Sequence, residues 1–191
     1  ATISARYNES FYVSLLCEVQ IAGVPTTNRW LGVAYDPKKL VETSSPVEVQ
    51  MPLFRQTRDK MKVAKRKLVI KSKAAQKRKA RLENARNYQK QKRKVMDLYQ
   101  KQKLQKEDYL ERVSGNLIRN YDYLFVEAVP SELSSADFQL QDWYKLITKL
   151  RYKAQWYNKT LLFINVNEQL NEPPDKKSME LEKIGKQVIF E

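Results

Sequence analysis

An α/β fold is predicted for this chain, and three observations carry the prediction. Two apolar runs with strand character, Trp30-Leu31-Gly32-Val33-Ala34-Tyr35-Asp36 and Tyr123-Leu124-Phe125-Val126-Glu127, lie far apart in the sequence. Between them, from about residue 54 to 120, stands a helical stretch with no Pro and no Gly before Gly115. After the second run, a helical apolar stripe is followed by another short apolar run, giving strand, helix, strand.

The elements follow in order. Ile3, Ala5 and Tyr7, then Phe11, Val13, Leu15, Cys17, Val19 and Ile21, are odd-numbered, and Asn8-Glu9-Ser10 interrupts them. This alternation predicts a two-stranded hairpin with one buried face, Cys17 being a small core residue on it. Gly23–Asn28 is a linker. Strands are expected at 30–35, 39–43 and 47–51, with turns at Asp36-Pro37 and Ser44-Ser45-Pro46. A helix is expected from about 54 to 70, a break at Lys71-Ser72-Lys73, and a second helix from about 76 to 120. Leu110, Val113 and Leu117 pack its end on a core, while its polar middle projects as a basic hairpin suited to a phosphate backbone. Tyr123–Val126 is expected to be a strand buried on both faces. Leu140, Trp143, Ile147, Leu150, Ala154 and Tyr157 form the core stripe of a helix from about 135 to 157. Leu161–Ile164 reads as a buried strand, Asn171–Lys177 as a loop, and the tail as a short helix and the apolar run Val188-Ile189-Phe190. No internal repeat is visible. The order β-β-β, helices, β-α-β is that of an RNase H-like fold.

Charge narrows the partner. The net charge is +14, and residues 53–106 hold 21 Lys/Arg against 3 Asp/Glu. The remaining residues carry 15 basic and 19 acidic side chains, so the positive charge sits in one element and points to a polyanion. Nucleic acid fits better than a membrane surface. A membrane-lying helix needs a strong apolar face, which Gln-Lys-Gln-Lys-Arg-Lys at 89–94 lacks. No run of apolar residues is long enough to span a bilayer, and no signal peptide opens the chain. The chain begins at Ala1, inside a predicted strand, which suggests a piece of a longer protein. With Cys17 the only cysteine and no histidine, disulfide frameworks, a zinc ribbon within the chain and histidine-based catalysis are excluded. A reducing cytoplasm is expected.

Several motifs resemble the C-terminal half of TnpB, the transposon-encoded RNA-guided nuclease related to type V CRISPR effectors. Ala1-Thr2-Ile3-Ser4 through Phe11-Tyr12-Val13-Ser14 is similar to the last strands of its wedge domain, an oligonucleotide-binding-type β-barrel. Gly32-Val33-Ala34-Tyr35-Asp36, with Lys38 following, falls on the family's G-I-D-L-G. Asp108-Tyr109-Leu110 and Val113-Ser114 resemble the D-F-L-H-K-L-S that ends the basic helix, and Phe125-Val126-Glu127 the V-V-E-D-L strand. Trp143 and Leu150-Arg151-Tyr152-Lys153-Ala154-Gln155-Trp156-Tyr157 resemble W…L-x-Y-K-A-E-W-Y, the strongest of these matches. The resemblance implies an RNase H-like (RuvC) domain over 29–191, with a basic helical hairpin inserted at 54–120 and the last wedge strands at 1–24 before it.

The departures from the family pattern shape the expected activity. Ala34 stands where the family has its first catalytic aspartate, and Asp36 stands two positions on. The Cys-x-x-Cys ribbon and the D-x-N-A-A motif that gives the third carboxylate are absent. After Glu127 the only aspartates are Asp137, Asp142 and Asp175, and none lies in such a motif. Two-metal phosphodiester cleavage needs several carboxylates around the ions, and a vestigial Glu127 alone does not supply them. The sequence therefore most resembles the nuclease-dead TnpB-like repressors (TldR). The expectations that follow are a chain that is not an enzyme, with no catalytic residue, no metal site and no cofactor. It would bind guide RNA and target double-stranded DNA, block RNA polymerase indirectly at promoters, and reside in the bacterial cytoplasm, on the nucleoid when bound. Lys62, Lys65, Arg66, Lys67, Lys71, Lys73, Lys77, Arg78, Lys79 and Arg81 are the candidate phosphate contacts. Two alternatives stay open: an active RNA-guided endonuclease whose third carboxylate lies beyond Glu191, with Asp36 replacing the first, and an unguided basic RNA-binding protein.

Overall fold

The computed structural model describes residues 2–5, 11–18, 20–47, 54–128, 140–165 and 174–190. The elements are β1 (Thr2–Ala5), β2 (Phe11–Ser14), β3 (Trp30–Asp36), β4 (Leu40–Thr43), α1 (Phe54–Lys77), α2 (Arg86–Asn120), β5 (Tyr123–Glu127), α3 (Leu140–Trp156), β6 (Thr160–Ile164) and α4 (Pro174–Phe190). The chain is mixed α/β and divides into two compact units, Ala1–Ala22 with Leu53–Leu104, and Gly23–Pro52 with Gln105–Glu191.

In the second unit a four-stranded sheet runs in the order β4-β3-β5-β6. β3 and β4 are antiparallel, with Ala34 opposite Glu42 and Asp36 opposite Leu40. β5 lies parallel to β3, with Val33 beside Val126, and β6 lies parallel to β5, with Glu127 beside Ile164. Side chains alternate across a sheet, so β3 divides cleanly. Trp30, Gly32 and Ala34 face α4, and Tyr35 faces α3, where its ring meets Trp143 edge-on at 5.7 Å.

The α4 face is closed by contact with almost no gap. A β-carbon on Gly32 would lie 1.8 Å from the carbonyl oxygen of Ser178, and one on Gly185 would lie 2.0 Å from the Phe125 ring. Two residues without side chains, one on each partner, let helix and sheet approach this closely. Ala34, Phe125 and Leu181 form the buried centre of this face, and Trp30 stacks on Tyr123 at 4.2 Å. On the other side, α3 buries Trp143, Leu146, Ile147, Leu150 and Ala154. The end of α2 buries Leu110, Val113, Leu117 and Ile118. Lys153 joins the two helices by donating to Ser114 Oγ at 2.8 Å, and Lys106 pairs with Asp142 at 2.6 Å. The expected stripe at 110–117 is therefore core, and so is that at 140–157 from Trp143 to Ala154, with Leu140 and Tyr157 half-buried at its ends.

The first unit holds the basic hairpin, and its helices mesh on a regular seam. Along α1 the inward positions 54, 57, 61, 64, 68, 71 and 75 step alternately by three and four. Phe54, Thr57, Met61, Ala64 and Ala75 there are buried. Along α2, Tyr88, Gln91, Val95, Leu98 and Gln102 repeat the same steps, with Gln91 and Val95 buried. This is the 3.5-residue period of coiled coils. The Gln91 amide crosses the seam and donates to the Ala64 carbonyl at 3.0 Å, which satisfies a polar group in a buried position.

Several expectations are corrected. Lys71-Ser72-Lys73 does not break the helix, because the seam runs on to Ala75 and neither Gly nor Pro intervenes. The break lies at 78–85 instead. There Ala80 N–H donates to Ala75 and Lys79 N–H to Gln76, a Schellman cap with Lys79 at φ 53°. β1 and β2 pair antiparallel as expected, but β2 ends at Ser14, short of the expected Ile21, and Ile3, Phe11 and Val13 are exposed at 72%, 73% and 61%. Cys17 is likewise exposed rather than core. Two strands form a single layer, and burying a face takes a second layer, which none of the described elements supplies to β1 and β2. β6 is the outer strand of the described sheet and only half buried, with Phe163 36% exposed. α4 begins at Pro174, inside the expected loop, with proline at a helix start where no N–H is needed. The expected strand at 47–51 lies largely outside the described residues, as do the first residues of the expected helix at 135–157.

Candidate nucleic-acid interface and the strand-end carboxylates

The ten candidate cations fall on one helix and its cap. Lys62, Lys65, Arg66, Lys67, Lys71, Lys73 and Lys77 lie on α1, Arg78 and Lys79 in the turn that ends it, and Arg81 in the connection to α2. All are exposed except Lys71, which is half-buried at the seam. None is in an ion pair with a carboxylate among the described residues. Lys65 stands over the Tyr99 ring at 4.7 Å, and Arg78 Nε donates to the Ala74 carbonyl at 3.3 Å. The seam explains the arrangement: with the seam positions turned inward, the remaining positions of α1 hold nine cations against one acid, Asp59, beside the exposed apolar residues Val63, Val69 and Ile70. On α2, Arg86, Lys90, Arg93, Lys94 and Lys101 are also exposed. The expected set omits them, although the same excess of charge signals them.

The carboxylates at the strand ends are committed to the protein itself. Glu127 is buried, and its Oε2 accepts the Tyr35 N–H at 2.8 Å. This bond ties the ends of β3 and β5 just beyond their last paired residues, Val33 and Val126. Asp36 Oδ1 accepts the N–H groups of Lys38 at 2.6 Å and Lys39 at 3.1 Å, closing the turn into β4. Tyr109 joins the same turn through its hydroxyl, which donates to the Lys39 carbonyl at 2.9 Å. Burial and the Asp36 charge both push the Tyr109 phenol above its usual range. Ala34 carries only a methyl group, packed with Phe125 and Leu181.

A magnesium site of the RuvC kind does not fit the residues described. Ala34 offers no ligand, Asp36 serves its turn, and among the described residues no group of three or more Asp, Glu, Cys or His side chains comes together to hold a metal ion. Asp142 is occupied by Lys106 on the far side of the sheet. Asp137 lies outside the described residues, and Asp175 is in the first turn of α4, its side chain outside the description. No helix among the described residues is long and apolar enough to cross a membrane.

A third charged site fixes the entry to the sheet. Asp122, just before β5, accepts the Thr27 N–H at 2.6 Å and the Asn28 N–H, and it pairs with Lys159, just before β6. Burial is the largest influence on its ionisation and opposes it. The Lys159 ammonium and the two N–H groups together outweigh burial and hold the carboxyl below the usual aspartate range. The sequence gives no sign of this clasp, because its members are scattered over more than 130 residues.

No family model matches the chain. Over 170 residues it is 26% identical to a Streptomyces pristinaespiralis protein named "Putative RNA-guided DNA endonuclease", a match that takes in 86% of this chain and 40% of that protein. The chain thus spans well under half the length of that relative. The match supports the resemblance at the level of RNA-guided DNA endonucleases and gives no support to the nuclease-dead repressor group within it. It also corrects the expectation that the chain is not an enzyme, since the relative is named for an enzymatic activity. The similarity is to a protein named "Putative RNA-guided DNA endonuclease", distant in identity and extending over most of the chain.

Proposed function

We propose that this chain is the RNase H-like part of a protein related to RNA-guided DNA endonucleases. Its basic hairpin would hold guide RNA and target DNA by their backbones. The observation that carries this reading is the set of exposed cations on α1 and its cap, which have no carboxylate partners among the described residues. A solvated helix face that needs only solubility interleaves both signs. The order β4-β3-β5-β6, an antiparallel pair beside parallel strands with Glu127 at the end of β5, supports the RNase H-like assignment. In this reading residues 1–24 are the last strands of a barrel, and 29–191 are the RuvC-like domain with the hairpin inserted at 54–120. Sequence is read by base pairing with the guide, and the protein contributes shape and backbone contacts. A complex seated on a promoter obstructs RNA polymerase, so repression belongs to the reading as an effect of occupancy.

The test is a salt titration of RNA binding by the full chain, together with sequencing of the RNA that copurifies with it. One small RNA with a defined guide segment is expected. Replacing Lys77, Arg78, Lys79 and Arg81 by Ala should lower the log-log salt slope by about 0.7–0.9 per lost phosphate contact. An unchanged slope, or a heterogeneous RNA population, would overturn the reading, the latter in favour of an unguided RNA-binding protein.

A further inference from the structure

At the closed end of the helical hairpin lies a cavity of about 350 Å³ with an unusual lining. Lys71 and Arg78 come to it from α1 and its cap, Asn84 from the connection, and Arg86, Asn87 and Tyr88 from the first turn of α2. No carboxylate lines it. Its room is made by Ala74, Ala75, Ala80 and Ala85, whose small side chains leave space where larger ones would close the crevice. The connection around it is firmly built. The Schellman cap sets 78–80, Asn84 N–H donates to Arg81 at 3.0 Å, and Gln89 Nε2 donates to the Leu82 carbonyl at 2.8 Å.

We infer that this cavity receives a single unstacked nucleotide of a bound RNA strand. This inference rests on the reading of the hairpin as a nucleic-acid holder. Each part of a nucleotide finds a counterpart in the lining. Tyr88 brings an aromatic ring to the lining, the kind of group on which a base stacks. The amides of Asn84 and Asn87 carry both donors and acceptors, as the edge of a base requires. Lys71, Arg78 and Arg86 supply positive charge for the phosphate. The volume falls at the lower end of small-ligand sites, about 300–1,000 Å³, which suits one nucleotide rather than a stacked run. A free nucleotide would use the same groups. The neighbouring cations Lys73, Lys77, Lys79 and Arg81 favour a continuous strand, whose adjoining phosphates they can reach. RNA is favoured over DNA because proteins recognise RNA largely through bases splayed out of loops and bulges and stacked on aromatic side chains.

The experiment photocrosslinks the full chain to a 20-nucleotide single-stranded RNA carrying 4-thiouridine, with the equivalent thiothymidine DNA and a fully paired RNA duplex as parallel arms. The expected result is a crosslinked peptide containing residues 84–88 with single-stranded RNA and none with the duplex. Tyr88→Leu keeps an apolar group on the seam but removes the ring, and should weaken single-stranded RNA binding roughly five- to 150-fold, the worth of one stacked base. Tyr88→Phe should retain binding. Because neither change alters charge, the salt slope should stay as in the parent protein. That separates failure of this inference from failure of the broader reading, which the slope itself tests. Circular dichroism checks that the variants keep their helices, and Ala85→Leu, which fills the cavity while leaving the Tyr88 side chain in place, should reproduce the loss. Crosslinks only elsewhere, or unchanged affinity in both Tyr88→Leu and Ala85→Leu, would overturn the inference. Equal crosslinking to the DNA would overturn the assignment to RNA, and competition by free AMP at matching concentration would overturn the assignment to a strand. Absence of RNA binding altogether would remove both this inference and the reading beneath it.

Discussion

The Glu127 carboxylate accepts the backbone N–H of Tyr35 at 2.8 Å, across the line where β3 and β5 part. An acid at the end of a buried strand here closes a gap in the hydrogen bonding of its neighbour. Removing the acceptor leaves a buried N–H unpaired, which costs about 1–3 kcal/mol. Glu127→Ala should therefore lower stability by about that much in urea unfolding. Glu127→Gln keeps a carbonyl acceptor at the same reach and should lose less. Equal losses in the two variants would mean that the charge, rather than the hydrogen bond, is what Glu127 contributes.

Gly32 and Gly185 set how closely α4 approaches the sheet, and each should resist even one added methyl. At Gly32 the obstacle is the backbone of Ser178, which cannot rotate aside. Gly32→Ala should destabilise the second unit by about 1–3 kcal/mol, the usual range for an overpacked core. At Gly185 the obstacle is the Phe125 ring, and Gly185→Ala combined with Phe125→Leu should recover part of the single loss. Thermal unfolding of Gly32→Ala, Gly185→Ala, Phe125→Leu and the double variant checks this, and strict additivity of the last pair of changes would argue against the contact.

The Asp122 clasp predicts a pH dependence of definite sign. Its carboxyl is held below the ordinary aspartate value of about 3.9. The folded state therefore binds this proton less readily than the unfolded chain. The resulting stability is present above the ordinary value and is lost as the pH falls through the lower folded one. A melting-temperature profile from about pH 6 down to pH 3 should fall less steeply in Asp122→Asn than in the parent protein. The variant should also be less stable at neutral pH, where Lys159 loses its ion-pair partner and keeps only the Pro25 carbonyl among the described residues. Parallel profiles would assign the acid sensitivity to other carboxylates.

Lys79 occupies the left-handed position of a helix cap where glycine is the usual resident, and a side chain there costs roughly 1–2 kcal/mol. Some of that cost is recovered because lysine loses less backbone freedom than glycine on folding. Lys79→Gly should raise the melting temperature of the hairpin by a gain of about 0.5–1 kcal/mol. It should weaken RNA binding only as far as one phosphate contact allows. Retaining lysine at such a position at a cost in stability is what a binding role for its charge would require, and a gain in stability together with a lowered salt slope would establish both halves of that statement.

The sequence discloses those parts of the molecule whose burial follows a period. The stripe from Trp143 to Ala154 is legible because it packs against a core on the face its spacing selects, and the run Leu124–Val126 because helices cover both of its faces. Odd-numbered alternation from Ile3 to Ile21 has the same character, yet Ile3, Phe11, Val13, Leu15, Cys17 and Ile21 are exposed, since a pattern states which face is apolar and not whether anything covers it. The run Leu161–Ile164 reads as interior and lies at the margin of the described sheet for a related reason: strand order is a tertiary fact. The helix break was hidden because Lys79 takes a conformation normally announced by glycine. At the candidate site, charge was readable as a count, while the cavity was not. Its residues come from two helices and a turn, and alanines give no signal of the space they leave.

The three-four stepping along α1 and α2 also restricts how this protein can change length. One residue added to either helix would rotate everything beyond it by about 100°. Cations would then turn inward where Met61 and Val95 now lie, and the Gln91 amide would lose the Ala64 carbonyl. Seven residues added to both helices at matched heights would leave every facing pair intact and carry the tip outward by about 10 Å. Insertions and deletions accepted in the hairpins of related chains should therefore come in sevens, and in pairs. The distance at which the tip is held becomes a quantity that evolution can adjust only in whole steps.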